Sequence, residues 1–102
     1  MIKICFVCLG NICRSPMAEF IMKDLINKNN LSNKFIITSR ATSYEEIGNG
    51  IYPKAKDKLN EKNISFDNTK TSIRLEKEDL DKYDYIIGME ERNIINIENN
   101  TE

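Results

Sequence analysis

Residues 7–16, with the sequence VCLGNICRSP, decide how this 102-residue chain is organised. They follow an apolar run at residues 1–7, which is typical of a buried parallel strand. Pro16 suits the first turn of a helix, where its missing N–H costs no hydrogen bond. The order of strand, tight turn and helix predicts a loop at the carboxyl end of a strand, where open α/β sheets bind their ligands.

This loop has the residue types that a phosphate-binding turn requires. Gly10 and Asn11 tolerate left-handed backbone, and backbone N–H groups that converge at the start of a helix bind oxyanions. The planar guanidinium of Arg14 can grip two oxygens of one phosphate. We expect the phosphate, or another oxyanion, to be bound by Leu9, Gly10, Asn11, Ile12, Cys13 and Arg14.

Cys8 is the candidate nucleophile of the loop. A thiol among inward N–H groups and beside Arg14 has its anion stabilised, so we expect a thiolate at neutral pH that needs no histidine to activate it. The sequence contains no histidine, which excludes Ser-His-Asp and Cys-His catalysis. Ser15 is placed to hydrogen-bond the sulfur and make it a better leaving group. Inert packing of Cys8 is the alternative, and the coherent Gly, Asn, Ser and Pro positions around it disfavour that alternative.

Composition is that of a globular protein, with 40% hydrophobic and 30% charged residues. A formal net charge of −1 gives no electrostatic reason to expect nucleic acid or an anionic membrane as a partner. The apolar run at residues 4–9 is too short to span a bilayer and lacks the features of a signal peptide. Three cysteines crowded near the N-terminus are no disulfide framework. We therefore expect a cytoplasmic protein.

Hydrophobic spacing along the rest of the chain predicts alternating helices and strands. A helix follows Pro16 and ends at residues 29–33, and residues 40–53 form a long polar loop of the kind that lines a site. The remaining predicted strands are residues 35–39 and 84–89, and the remaining predicted helices are residues 54–62, 76–82 and 90–98. This alternation predicts an α/β fold with a parallel sheet and helices on both faces.

With the loop and the alternation established, the sequence resembles the low-molecular-weight protein tyrosine phosphatases. The loop VCLGNICRSP resembles the family's N-terminal signature, TSYEEIGNGIYPKA at residues 42–55 its loop after the second strand, and KEDLDKYDYIIGMEERN at residues 77–93 its third-strand region. The resemblance covers residues 1–102 as a single domain. It implies a flavodoxin-like, doubly wound parallel sheet, hydrolysis of phosphotyrosine on proteins or of small phosphomonoesters, and no metal or cofactor.

The resemblance also implies a role for each loop residue. Cys8 becomes phosphocysteine, Arg14 binds the phosphate and stabilises the transition state, and Ser15 assists departure of the thiolate. Asn11 braces the loop. Cys13 matches a second loop cysteine, which can form a reversible disulfide with the nucleophile and protect it from further oxidation.

Four residues outside the loop carry further expectations. Tyr44 lies near the position where the family places a wall of the substrate cleft. Glu90 follows the third strand and therefore lies at the ligand-binding rim, where we expect it to line the substrate cleft and to be a candidate general acid. Cys5 is expected to pack in the core, and Asp79 to lie on a solvated acidic face.

The sequence departs from the family in length, since family members are roughly half as long again. Their general acid is an aspartate followed by proline near the C-terminus, and no Asp-Pro occurs here. We expect a domain with three strands, incomplete relative to the family at the fourth strand and last helix. Loss of a general acid typically lowers the rate about 10²–10⁴-fold. An uncovered third strand favours an oligomer or a domain swap.

Two other functions stay open. An arsenate reductase-like enzyme uses the same fold and loop but relays electrons through cysteines further along the chain, and no cysteine follows Cys13. A non-catalytic protein that binds phosphate or phosphotyrosine would keep the loop and trap the anion without turnover.

Overall fold

The computed structural model describes residues 1–98 with their side chains and continues as helical backbone to residue 101. Strands and helices alternate as the sequence predicts, and no helix of this described part is long and apolar enough to cross a membrane. In chain order the elements are β1 (Ile2–Cys8), α1 (Arg14–Lys28), β2 (Phe35–Ala41), α2 (Pro53–Glu61), α3 (Asp79–Lys82), β3 (Tyr85–Gly88) and α4 (Glu91–Thr101).

The three strands form one parallel sheet with the order β2-β1-β3. In the central strand, Ile4 pairs with Ile37 of β2 on one side and with Tyr85 of β3 on the other. Because all three strands are parallel, Cys8 at the end of β1 lies at the same edge as the ends of β2 and β3. The predicted α/β class with a parallel sheet is confirmed, and the sheet's ligand-binding edge is the one that carries the loop.

Side chains of β1 alternate between the two faces of the sheet and anchor a helix on each. Ile4 packs with Ile26 of α1 in one buried cluster. Cys5 and Val7 point to the opposite face, where they form a cluster with Leu75 against which Ile97 of α4 packs. The doubly wound arrangement is therefore present, and Cys5 belongs to the core as expected.

The acidic segment before β3 differs from the prediction. Helix α3 begins only at Asp79, after a turn in which the N–H of Asp79 donates to the carbonyl of Glu76 at 3.0 Å and the carboxylate of Asp79 accepts the N–H of Glu76 at 2.7 Å. Asp79 is consequently buried, so the predicted solvated position is wrong. The neighbouring Asp84 accepts the N–H of Lys3 at 2.8 Å and joins the start of β3 to β1.

Residues 71–75, called the brace segment below, run beside the end of β2 without forming a full strand. The N–H of Ala41 donates to the carbonyl of Ile73 at 2.7 Å, and the N–H of Leu75 donates to the carbonyl of Ala41 at 2.8 Å. A single parallel bridge between Ala41 and Arg74 records the same alignment. The brace segment thereby reaches the edge of the sheet at which the loop lies.

Candidate active site

The loop between β1 and α1 turns back on itself at Asn11. Its φ of 57° is left-handed, a conformation that asparagine adopts more readily than most residues. Cys13 is the residue before the first helical position, and α1 begins at Arg14. The first N–H groups of a helix have no acceptor within the helix, so the chain delivers free donors and the positive end of a helix dipole to the site.

Three donors surround the sulfur of Cys8, which is buried. The N–H groups of Asn11 and Ser15 lie 3.3 and 3.4 Å from Sγ, and the hydroxyl oxygen of Ser15 lies 3.0 Å from it. Three donors therefore converge on one atom, Cys8 Sγ, at the carboxyl end of β1.

The direction of the Ser15 hydrogen bond follows from the amide of Asn11. The side-chain Oδ1 of Asn11 accepts the N–H of Ile73 at 3.2 Å, which assigns the amide orientation, and its Nδ2 donates to Ser15 Oγ at 2.8 Å. Because Ser15 Oγ already accepts a hydrogen bond from Asn11, the one hydroxyl proton of Ser15 can be donated to another acceptor. Cys8 Sγ is a closer acceptor than the carbonyl of Arg40, which lies 3.5 Å from Ser15 Oγ. Ser15 thus donates to the sulfur.

Carbonyl groups of the loop are turned outward by hydrogen bonds from two other segments, the long loop after β2 and the brace segment. The carbonyls of Leu9, Gly10 and Ile12 accept from the N–H of Ser43 at 3.0 Å, the hydroxyl of Ser72 at 2.6 Å and the N–H of Tyr52 at 2.7 Å, respectively. With these carbonyls engaged outside, the N–H groups of Asn11 and Ser15 point inward and reach Cys8 Sγ. Ser43 and Tyr52 lie in the loop that the sequence analysis singled out, but no sequence pattern pointed to Ser72 or to the bracing role of any of the three.

Arg14 and Glu90 meet at the rim of the loop. Arg14 Nη2 donates to Glu90 Oε1 at 3.2 Å, and both side chains are exposed. The N–H groups of Met89 and Glu90 donate to Asn93 Oδ1 at 3.1 and 3.0 Å, which fixes the backbone that carries the glutamate. The hydrogen bond from Arg14 lowers the pKa of Glu90. Glu90 is thus paired with Arg14 at the rim, and its role as a cleft residue and candidate acid stays a prediction.

The other sequence-predicted residues lie around the loop. Tyr44 follows Ser43 and is exposed, with its ring over the guanidinium of Arg74. Cys13 is half-buried against the cluster around Phe20, and its thiol is free, as are those of the other two cysteines. Burial raises the pKa of the Cys5 thiol to about 11, which keeps it neutral and unreactive. A protective disulfide between Cys8 and Cys13 stays a prediction.

Comparison with known proteins decides the family. A sequence model described as low molecular weight phosphotyrosine protein phosphatase matches residues 3–102. The chain belongs to this family. The resemblance inferred from the loop is thereby confirmed over almost the whole chain.

Individual family members show how much of their length is matched. The low molecular weight protein-tyrosine-phosphatase of Bacillus subtilis is 44% identical over 94 residues, which are 92% of this chain and 60% of the relative. The corresponding protein of Staphylococcus haemolyticus is 40% identical over 99 residues, 97% of this chain and 62% of its own. This chain therefore spans about 60% of the length of these curated relatives.

A solved structure of the family has the same fold. The crystal structure of the low molecular weight protein tyrosine phosphatase from Streptococcus pyogenes superposes with a TM-score of 0.91 at 46% sequence identity. The superposition covers 97% of this chain and 63% of the Streptococcus pyogenes chain. The flavodoxin-like architecture of the family is therefore the architecture of this chain.

Replacement of Asn11 tests the internal support of the loop. We expect Asn11→Ala to lower the free energy of unfolding by about 1–3 kcal/mol, because the N–H of Ile73 loses its acceptor and alanine is strained at a left-handed position. Urea denaturation measures the free energy of unfolding, and calorimetric titration with phosphate measures the affinity of the loop for phosphate. Asn27→Ala, at an exposed asparagine of α1, is the control. An Asn11 variant as stable as this control contradicts the prediction.

Proposed function

We propose that the protein is a phosphatase that hydrolyses phosphotyrosine monoesters through a phosphocysteine at Cys8. The observation that carries this proposal is the convergence of three hydrogen-bond donors on Cys8 Sγ at 3.0–3.4 Å. A ring that stabilises an anionic sulfur also suits a phosphate, since both are anions that need inward N–H groups. The names of the relatives support the same reaction and substrate class.

In the first step the Cys8 thiolate attacks phosphorus, so that a P–S bond forms and the bond from phosphorus to the phenolic oxygen breaks. The leaving phenolate takes a proton from water or from a positioned acid. Arg14 and the N–H groups of the loop stabilise the negative charge on the three non-reacting phosphoryl oxygens. The contact with Glu90 engages only Nη2 of Arg14, which leaves the remaining guanidinium N–H groups available to bind a phosphate.

In the second step water attacks the phosphocysteine. A P–O bond forms, the P–S bond breaks, and inorganic phosphate leaves together with a proton. The departing sulfur becomes a thiolate again, and the hydroxyl of Ser15 is the group that stabilises it by donation at 3.0 Å. One pair of residues, Ser15 and Asn11, therefore serves both the formation of the nucleophile and its release.

Enzyme activity is tested with p-nitrophenyl phosphate, whose leaving group departs without protonation. We expect turnover by the wild type and none above background by Cys8→Ser, because a serine hydroxyl in this ring is not ionised. Calorimetric binding of inorganic phosphate by both proteins shows that the loop is folded in each. Equal rates for the two proteins contradict the phosphatase, and phosphate binding without any turnover favours a non-catalytic phosphate-binding protein.

The proposal includes a cytoplasmic location. All three cysteines of the chain are free thiols, and the proposed reaction needs one of them as a thiolate. A reducing compartment preserves such thiols.

We also propose that a second copy of the chain binds on what we call the α1–β3 surface, formed by Ile21, Leu25, Tyr85 and Ile87. All four side chains are exposed. Tyr85 pairs with Ile4, which faces α1, so the strand residues and α1 lie on the same side of the sheet. The outer edge of β3 has no partner strand in the part of the chain that the structure describes. An open strand edge beside exposed apolar side chains favours pairing with a second edge of the same kind.

Light scattering coupled to size-exclusion chromatography tests this association. We expect a dimer for the wild type and a shift to monomer for Ile87→Lys, because a charge on the surface opposes its burial. The matched control is Ile36→Lys on β2, where the isoleucine is equally exposed, at 40%. A wild type that elutes as a stable monomer contradicts the proposal.

A further inference from the structure

An ion pair lies across the rim of the phosphate loop. Arg14 Nη2 donates to Glu90 Oε1 at 3.2 Å, and the two side chains are 51% and 43% exposed. Arg14 is the first residue of α1, and Glu90 follows β3, so the pair joins the helix that begins at the loop to the strand beside β1. The cation that an incoming oxyanion would use therefore already has an anionic partner.

The backbone that carries Glu90 is fixed relative to the nucleophile. The N–H of Met89 donates to the carbonyl of Val7 at 3.0 Å, and Val7 directly precedes Cys8. The N–H of Glu90 donates to Asn93 Oδ1 at 3.0 Å, and the carbonyl of Glu90 accepts the N–H of Asn93 at 3.0 Å. Because Asn93 is fully buried, the Glu90 carboxylate extends from a firmly held turn beside the loop.

Glu90 contacts the nitrogen of Arg14 that a bidentate grip on phosphate requires. A guanidinium binds two oxygens of one phosphate through two neighbouring nitrogens, either Nη1 with Nη2 or Nε with Nη2. Nη2 belongs to both pairs, and it is the nitrogen that donates to Glu90. When Nη2 also binds phosphate, the Glu90 carboxylate and a phosphate oxygen lie at most two hydrogen-bond lengths, about 6 Å, apart. At that separation the two negative charges repel each other.

The interaction between Arg14 and Glu90 also affects the protonation of both groups. The hydrogen bond to Glu90 raises the pKa of Arg14, and the same hydrogen bond lowers the pKa of Glu90. Each partner thus stabilises the charge of the other, and an oxyanion at Arg14 has to share a cation that is already paired. Because both side chains are exposed, water and salt screen the pair, and we expect a moderate effect on oxyanion binding.

We propose that Glu90 competes with phosphate for Arg14 and thereby weakens the binding of phosphate by the loop. The proposal rests on the proposed function, in which inorganic phosphate is the product that has to leave. A loop with several N–H donors and an unpaired guanidinium would retain that product. Glu90 pairs with Arg14 again as the phosphate departs, so it lowers the affinity for the product and shortens the time for which the product stays bound.

Glu90→Gln tests the competition, because it removes the negative charge and keeps the backbone hydrogen bonds with Asn93. In calorimetric titrations with inorganic phosphate we expect Glu90→Gln to bind about 3–10-fold more tightly than the wild type, since one exposed ion pair and one like-charge repulsion are removed. Glu91→Gln, at the neighbouring exposed glutamate of α4, is the matched control and should bind phosphate as the wild type does. Urea denaturation shows that each variant is folded.

Three further measurements distinguish competition from a change in the shape of the loop. The difference in phosphate affinity between Glu90→Gln and the wild type should shrink as salt is added, because salt screens exposed charges. In turnover of p-nitrophenyl phosphate, the inhibition constant of added phosphate should fall by the same factor as the dissociation constant. In an Arg14→Met background, Glu90→Gln should tighten phosphate binding less than it does in the wild type, because the competition acts through the arginine.

The outcomes separate this proposal from the proposed function. Glu90→Gln protein that binds phosphate no more tightly than the wild type overturns the competition. An equal gain in Glu91→Gln, or an equal gain from Glu90→Gln with and without the arginine, also overturns it. Wild-type protein that binds no phosphate overturns the phosphate site itself, and the competition with it. Tighter binding by Glu90→Gln in a protein that hydrolyses no phosphomonoester contradicts the proposed function and supports the competition for Arg14.

Discussion

One buried sulfur with three donors within 3.4 Å sets the conditions that the surrounding structure has to satisfy. An anion can be held in a protein interior only where hydrogen-bond donors replace the water that it loses. Here two of the donors are backbone N–H groups, which can point inward only if the neighbouring carbonyls point outward. Those carbonyls in turn need donors from elsewhere, and the long loop after β2 and the brace segment supply them.

Asn11 connects the hydrogen bonds that reach the sulfur with the hydrogen bonds that support the loop from outside. Its backbone N–H donates to the sulfur, its side-chain Nδ2 donates to Ser15, and its Oδ1 accepts from Ile73 in the brace segment. It is almost fully buried and has a left-handed backbone. In a buried network each unmade bond costs more than it does at the surface. The orientation of the Ser15 hydroxyl, and with it the third donor to Cys8, depends on this one amide.

The sequence predicted the parts of this arrangement that are local. A turn of Gly10 and Asn11 between an apolar run and a helix is visible within ten residues, and the alternation of strands and helices follows from hydrophobic spacing. The partners of the loop are not local: Ser72 and Ile73 lie 62 positions from Gly10 and Asn11, in a stretch without a motif. The burial of Asp79 is not predicted, because an acidic helix indicates exposed side chains. In the structure the carboxylate of Asp79 turns back to accept the N–H of Glu76 and is buried there. Glu90 is expected at the rim from its place after β3, but its ion pair with Arg14, 76 positions away, is not visible in any local pattern.

The central claim is that the donors converging on Cys8 Sγ, with Arg14 at the rim, form a binding site for an oxyanion. The most direct test is calorimetric titration with inorganic phosphate of the wild type, of Arg14→Met and of Arg92→Met, which replaces an exposed arginine of α4. We expect the wild type and Arg92→Met to bind phosphate equally, and Arg14→Met to bind it about tenfold more weakly or worse, because a charge-assisted contact with the phosphate is lost. Wild-type protein that binds no phosphate, or an Arg14→Met variant that binds it as tightly as the wild type, would contradict this claim.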